Sequence, residues 1–332
     1  MSAADSILAE NGAVHALAAD VLEPASSAGS RIAASVAAAF GPACLALIHY
    51  GSHAQHSGAE AESAYDYFVI VSDYAAAYLA LAASHGLRRS PRTAAWLNRI
   101  LPPNVLALHI SGPPPALAKC AVLTLAELER ASSPRARDHF VQGRLFQHVQ
   151  LVCPRDSGSR DAVLRAVAAC RARTFDWGRP YLPERFDVEH YLSALLARSF
   201  AGEIRPEAEH RLEALTGAQR GPLAPVYHQL LQRLESQKLI TKEGAVYRLQ
   251  EPVPDAERRR WERYFARSKR RATMRWGKYV LLYDDWLGYL LQKIERRSGT
   301  AIVLTERERR WPLIFLWPRA FRYLRTRPQR RG

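Results

Sequence analysis

The residues best suited to chemistry lie between His49 and Tyr74. An apolar run, Leu45–His49, ends in Tyr50-Gly51-Ser52, and a second apolar run, Tyr65–Val71, carries Asp66. Runs of that length and composition read as strands. A glycine at the end of the first strand lets the chain turn and lets a phosphate approach the backbone closely. The Ser52 hydroxyl and the neighbouring N–H groups can donate to that phosphate. Asp66 interrupts an otherwise apolar, aromatic run, where an unpaired charge is costly. A carboxylate so placed can hold Mg²⁺ against phosphate oxygens. The chemistry is metal-assisted transfer at phosphorus. No Ser-His-Asp or Cys-His arrangement stands out, and none is needed.

Such a centre often uses a second carboxylate two residues before the first, and here that position is Ala64. Glu62 shares the strand parity of Asp66 if the segment stays extended. Glu203 or Asp73 could instead complete the site in space. Asp73 falls on the opposite parity and could cap the following helix. Lys119 enters a strand from a proline-rich loop and could neutralise nucleotide phosphates. Arg144, next to Gly143, could fork onto a phosphate, and Arg205 is a similar candidate. His49, His53 and His56 lie on a turning loop without a zinc-site spacing, so they read as core or solvated histidines.

Several elements must position these residues. Ser30–Phe40 reads as a short helix feeding the first strand. Asp73–His85 is helical, with Gly86 at its end. Arg92–Leu101 is a helix stopped by Pro102-Pro103. Val105–Ile110 and Ala118–Leu123 are strands, and Thr124 caps a helical turn to Ala131. Pro134–Leu151 reads as one long helix with Phe140, Val141, Leu145, His148 and Val149 on one face. This alternation predicts an α/β (α+β) domain over residues 1–155. Residues 156–255 read as a helical domain. In it Arg160–Thr174 and a helix capped by Asp187 are followed by a further helix and a hairpin turning at Lys242-Glu243-Gly244. Helix then small hairpin is a winged-helix-like pattern.

Charge separates the remainder. Of 47 Lys and Arg and 32 Asp and Glu, residues 256–332 hold 22 and 7, so the first 255 residues are balanced. All of the +15 excess lies in one C-terminal segment, the signature of an anionic partner surface. That segment contains a helical stripe through Trp276, Tyr279, Tyr283, Trp286, Leu287 and Leu290, followed by alternating large apolar groups and arginines. Trp276, Trp286, Trp311 and Trp317 suit the headgroup zone of a lipid surface better than nucleic acid. No run reaches the roughly 18 apolar residues of a membrane span. The acidic start lacks a signal-peptide pattern, and the four scattered cysteines fit core thiols in a reducing compartment. The expected location is cytoplasmic, peripheral on the inner face of the membrane.

Five stretches resemble one family. Tyr50-Gly51-Ser52 is similar to a Y-G-S motif. Ser63 to Asp73 resembles S-x-x-x-D-F-V-F-A-V-D-D, matching Asp66 and Asp73. Lys119-Cys-Ala-Val-Leu resembles K-Y-G-V-I. Gln142-Gly143-Arg144-Leu145 resembles A-G-R-L. Ser199-Phe-Ala-Gly202-Glu203-Ile-Arg205 resembles S-Y-x-G-D-x-R. In order and approximate spacing these resemble the mitochondrial-type CDP-diacylglycerol synthases, the translocator assembly and maintenance family of phosphatidate cytidylyltransferases. The match departs where His53 replaces the glycine after Y-G-S and Glu203 replaces aspartate. The resemblance implies a nucleotidyltransferase domain followed by a winged-helix domain; the basic amphipathic C-terminal segment is read from its charge and is longer than the family leads one to expect. It implies Mg²⁺-dependent reaction of CTP with phosphatidic acid at a membrane surface, giving CDP-diacylglycerol and pyrophosphate. Asp66, Lys119 and Arg144 would be catalytic. Tyr50, Gly51, Ser52, Lys119 and Arg205 would bind nucleotide. Asp66 with Glu62, Glu203 or Asp73 would hold metal. Two alternatives stay open: a different acceptor (RNA, protein or another phospholipid), and a non-catalytic membrane scaffold, which Ala64 favours.

Overall fold

The candidate site sits on a sheet whose central strand is the one bearing Asp66. The computed structural model describes residues 3–55, 63–87, 89–201, 209–282 and 305–306. Strands β1 (Cys44–Tyr50), β2 (Tyr65–Val71), β3 (Asn104–Ile110), β4 (Ala116–Thr124) and β5 (Gln150–Val152) form one sheet in the order β3-β4-β2-β1-β5. β2 runs parallel to β4, and the other three pairings are antiparallel. All of β1 and the last five residues of β2 are buried. Strands covered on both faces need apolar residues at every position, which is why both read as continuous runs.

Two helical layers cover the sheet. On one face Leu47, Tyr67, Val69, Leu106, Leu108, Cys120 and Val122 pack with Ile32, Val36 and Phe40 of α3 (Ser27–Phe40) and with Tyr78 and Leu81 of α4 (Tyr74–His85). Helix α5 (Pro91–Ile100) adds Ala94 and Ala95 to the same cluster. On the other face Ile48, Phe68, Ile70, Ala121 and Leu123 join a larger cluster. It draws on α1 (Ala3–Leu8), α2 (Ala13–Leu17), α6 (Leu125–Ala131), α7 (Gln142–Leu145), α8 (Ser157–Ala172), α9 (Thr174–Gly178), α10 (Val188–Ala201), α11 (Glu209–Ser236) and α12 (Asp255–Leu282). Helix starts follow side-chain chemistry. Ser26, Asp73, Ser90, Thr124, Asp156 and Asp187 each accept a hydrogen bond from a backbone N–H in the first turn, as capping residues should.

The chain is therefore mixed α/β. Residues Met1–Leu282 make one unit, and the larger cluster runs through it from Ala4 to Phe265. The boundaries expected near 155 and 255 fall inside this shared core. The hairpin β6 (Ile240–Glu243) and β7 (Val246–Leu249) follows α11 as expected. Gly244, at φ +65°, supplies its turn. One element differs from expectation. Between Pro134 and Leu151 only Gln142–Leu145 is α-helical, and Gln150–Val152 pairs with the free edge of β1. The apolar periodicity there reports burial. It cannot report that β1 needs an edge partner.

Buried charges tie distant segments together. Arg171 of α8 donates to both carboxylate oxygens of Asp20, to Leu17 O at 2.8 Å and to Gln147 O at 3.0 Å. His148 Nδ1 lies 2.8 Å from Asp20 Oδ2. Burial pushes the Asp20 carboxyl up, but the Arg171 charge and the bonds with His148 and Arg171 outweigh it and hold it below its usual value.

Helix α12 docks in the same way. Arg271 Nε and Arg275 Nη2 both donate to Asp138 Oδ2 at 2.6 Å, and Arg275 Nε donates to Pro102 O at 2.9 Å. Lys278 Nζ donates to the carbonyls of Leu97, Leu101 and Pro103 at the end of α5. Burial, aided by the charges of Arg275 and Arg271, brings the Lys278 amine down to about 7. The arginine-dense segment is thus two-faced. Tyr264, Phe265 and Arg275 are buried, while Arg258, Arg259, Arg260, Arg263, Arg267 and Arg270 face water. Trp286, Trp311 and Trp317 lie outside the described residues. No helix among the described residues is long and apolar enough to cross a membrane.

Asp20→Asn leaves the Arg171 charge buried without its counter-ion. It is expected to cost about 3–5 kcal/mol at neutral pH, read from urea unfolding. The Asp20 carboxyl is held down in the fold, so its contribution is complete above roughly pH 4, the unfolded carboxylate value. It is lost as pH falls through the lower folded value. The gap between wild type and Asp20→Asn should therefore narrow as the pH is taken below 4.

Candidate active site

Strand register assembles the site. Tyr50, the last residue of β1, pairs with Asp66 of β2, and Asp66 pairs across the parallel ladder with Lys119 of β4. Side chains alternate between faces along a strand, so residues in register share a face. Tyr50, Asp66 and Lys119 therefore lie on the face that also carries Phe68 and Ala121, covered by the larger helical cluster. Asp66 and Lys119 are half-buried at the open end of strands whose interiors are closed to water.

Arg144 reaches the same corner from α7. Its guanidinium carbon lies 3.9 Å from the Phe140 ring centroid and 5.8 Å from that of Tyr50, and its Nη1 donates to Phe140 O at 2.7 Å. These contacts hold the guanidinium at the Tyr50 end of β1. A Cβ on Gly143, beside it, would stand 2.8 Å from His139 Cδ2 and 2.9 Å from Ser199 Oγ. Glycine there is what lets α7 press onto α10. His139 Nε2 and Ser199 Oγ are 3.2 Å apart, so the Gln142–Leu145 stretch and the start of the Ser199–Arg205 stretch meet in space.

Gly51 is required twice. Its φ of +84° is a left-handed conformation that side chains resist. A Cβ there would also lie 2.8 Å from Asp66 Oδ2. The turn that follows closes when Gln55 N–H donates to Gly51 O at 3.0 Å, with Ser52 at its start. A bare backbone thus passes directly beside the carboxylate, where a side chain would collide with Oδ2.

The other expected residues separate into two groups. Asp73 lies beyond the opposite end of β2, seven residues and roughly 20 Å along extended chain from Asp66. Its Oδ1 caps α4 through Ala75 and Ala76, and its Oδ2 pairs with Arg99 at 3.4 Å. Slight burial pushes this carboxyl up, but the Ala76 and Ala75 N–H groups and Arg99 hold it below its usual value. Its role in the structure is the cap. Glu62, Glu203 and Arg205 lie outside the described residues. Among the described residues no group of three or more His, Cys, Asp or Glu gathers as a metal site. Asp66 alone still fits Mg²⁺, because that ion is commonly held by one or two carboxylates plus substrate phosphates.

The histidines pack rather than ligate. His49 is buried with Nδ1 3.1 Å from Gln150 Oε1, and its ring stacks on Tyr67. His53 stacks on Tyr65 at 3.9 Å, and its Nε2 lies 2.9 Å from Ser63 O. His56 is outside the described residues. Cys44, Cys120 and Cys170 are buried free thiols, and Cys153 is exposed.

Sequence reasoning passed over three buried amides, Gln55, Gln147 and Gln219, which connect behind the turn. Gln147 follows Leu145-Phe146, so it breaks an apolar run as Asp66 does; that signal could have found it. No protein-family model matches the chain, and a search of curated proteins returns no match.

Gly51→Ala is expected to lose about 1–2 kcal/mol through backbone conformation alone, and more through the contact with Asp66. Gly12, left-handed at φ +73° with nothing within 4 Å of an added Cβ, supplies the control. Urea midpoints of Gly51→Ala and Gly12→Ala should differ, with Gly51→Ala the less stable. Equal losses would show that Gly51 does not crowd the carboxylate.

Proposed function

We propose that this chain is a Mg²⁺-dependent cytidylyltransferase that joins CTP and phosphatidic acid into CDP-diacylglycerol, releasing pyrophosphate. The observation that carries the reading is the register that sets Asp66 beside Lys119 and against the bare backbone of Gly51, with Arg144 stacked next to Tyr50. That is one carboxylate, two cations and a glycine turn at one end of a sheet. The choice of CTP and of phosphatidic acid rests on the five-stretch resemblance. The nucleotidyltransferase and winged-helix assignments within the α/β fold rest on it too, supported by the mixed sheet and by the hairpin that follows α11.

The residues divide the work. The Gly51–Gln55 turn offers backbone N–H groups and the Ser52 hydroxyl to the nucleotide phosphates. Lys119 and Arg144 take up negative charge as the bond between the α-phosphorus and its bridging oxygen breaks and pyrophosphate leaves with the electron pair. An oxygen of the lipid phosphate forms the new bond to the α-phosphorus from the opposite side. Mg²⁺ at Asp66 would supply Lewis-acid stabilisation of the phosphate oxygens. No acyl- or phospho-enzyme is required.

Access to a lipid substrate suits the outward face of α12, with its exposed arginines, and the exposed apolar residues of α5, which α12 contacts. Trp96 is 60% exposed and Ile100 is 53% exposed, one turn apart on α5, whose last carbonyls receive Lys278 of α12. The reading therefore places the protein peripherally on an anionic membrane surface, on the cytoplasmic side.

Wild-type protein with Mg²⁺, CTP and phosphatidic acid vesicles should release pyrophosphate and form CDP-diacylglycerol, detected by lipid mass. Chelation of the metal should abolish turnover. Asp66→Ala should lower kcat at least a thousandfold, and Lys119→Ala on the order of a hundred- to a thousandfold. Product formed on RNA or protein but not on lipid would move the reading to another acceptor. No turnover with any of the four nucleoside triphosphates would leave a scaffold. In a separate measurement, charge reversal of Arg259, Arg263 and Arg270 together should weaken binding to phosphatidic acid vesicles. Each cation lost near the surface is worth about 1 kcal/mol. Unchanged cosedimentation would remove α12 from the membrane face.

A further inference from the structure

Three buried glutamines stand directly behind the site. Gln147 Oε1 accepts from Gln55 Nε2 at 3.2 Å and from Gln219 Nε2 at 3.0 Å, while Gln147 Nε2 donates to Gly143 O at 2.5 Å. Gln219 Oε1 accepts from His148 N–H at 3.2 Å. Gln55 and Gln147 are each 7% exposed and Gln219 1%. The direction of the chain of bonds is forced. A flipped Gln147 would face its amide hydrogens toward two other donors and its oxygen toward the Gly143 carbonyl. One buried oxygen therefore uses both lone pairs on two segments, and the nitrogen of the same amide holds a third.

Those segments are the parts of the proposed site that must keep their spacing. Gln55 closes the turn that begins at Gly51. Gly143 precedes Arg144 in α7. Gln219 belongs to α11, the helix leading to the hairpin. The turn leaves β1 and α7 arrives nearly a hundred residues later. The β1–β5 ladder that joins their backbones ends at His49 and Gln150, so beyond it side chains set the spacing. We infer that Gln147 is a positioning residue that sets the phosphate-binding turn at Gly51–Ser52 against the Arg144 guanidinium, with Gln55 as its arm to the turn. The inference rests on the nucleotidyltransferase reading and names a residue through which its nucleotide affinity is set. It acts without touching the ligand. Catalysis and binding gain from such pre-set donors because no reorganisation is needed when the phosphate arrives.

The test compares two substitutions at the same oxygen. Gln55→Met removes one amide bond to Gln147 Oε1, and Gln219→Met removes another together with the acceptor of His148 N–H, so a merely structural role predicts that Gln219→Met has at least as large an effect on every readout. The readouts are the Kd for CTP with Mg²⁺, the urea midpoint, and the split of KM against kcat. Gln55→Met is expected to raise the Kd for CTP at least tenfold and to raise KM more than it lowers kcat. Gln219→Met should lose at least as much stability, with a change in Kd below threefold. Gln147→Glu keeps both acceptor bonds but turns an oxygen onto the Gly143 carbonyl. It should weaken CTP binding in the wild-type background and add little in Arg144→Ala. Equal effects of Gln55→Met and Gln219→Met on Kd, or full additivity of Gln147→Glu with Arg144→Ala, overturn the inference while the nucleotide reading survives. A wild-type protein that binds no CTP overturns the reading itself, and the inference with it.

Discussion

A single carboxylate at the end of a strand that is otherwise closed to water is the constraint on which the rest of the molecule turns. A charge on β2 further along would sit between two packed helical layers and would need a partner it could not find. At Asp66 three things make it tolerable. The strand is half-exposed there, Lys119 stands in register on β4, and Gly51 presents no side chain to crowd Oδ2. The parallel β2–β4 pairing matters for this. It brings the beginnings of two strands to one end of the sheet, so Asp66 and Lys119 stand in register at the same open end.

The protein handles its other buried charges in the opposite way. Asp20 with Arg171 and His148, and Asp138 with Arg271 and Arg275, are matched in charge and bonded to nearby carbonyl oxygens and N–H groups. Such clusters tie segments far apart in sequence and discourage alternative packings, because breaking one strands a charge. Lys278 does similar work with neutral partners, using carbonyls that the end of α5 would otherwise leave open. A helix rich in arginine thereby serves two purposes. One side is anchored by Asp138 and by the aromatic residues Tyr264 and Phe265, and the other is left to solvent or to an anionic surface.

Local elements were legible from the sequence because their causes are local. The caps at Asp73, Thr124 and Asp187, the stop at Pro102, and the hairpin at Gly244 depend on residues within a few positions of one another. The stretch from Pro134 to Leu151 was not legible. Its apolar spacing suits a helix, yet most of it departs from one so that Asp138 can meet α12, and Gln150 can meet His49 on the edge of β1. The continuous core from Ala4 to Phe265 was likewise hidden, since composition shifts mark linkers and not shared packing. The glutamines behind the turn escaped for a related reason. An amide has no charge to flag it, and its worth lies in partners nearly a hundred residues away.

The sequence by itself determined the ingredients of the candidate site: a glycine where a strand must turn, one carboxylate in an apolar strand, and a lysine and an arginine beside breaks in the pattern. It also determined that all the excess positive charge would fall at the C-terminal end. Only the tertiary structure decided which of these residues meet. Register put Asp66 opposite Lys119, ring stacking brought Arg144 to Tyr50, and strand length carried Asp73 to the far end, where it caps a helix. The physical reason is that residue type is set one position at a time, whereas register and packing are set by the free energy of burying two sheet faces at once.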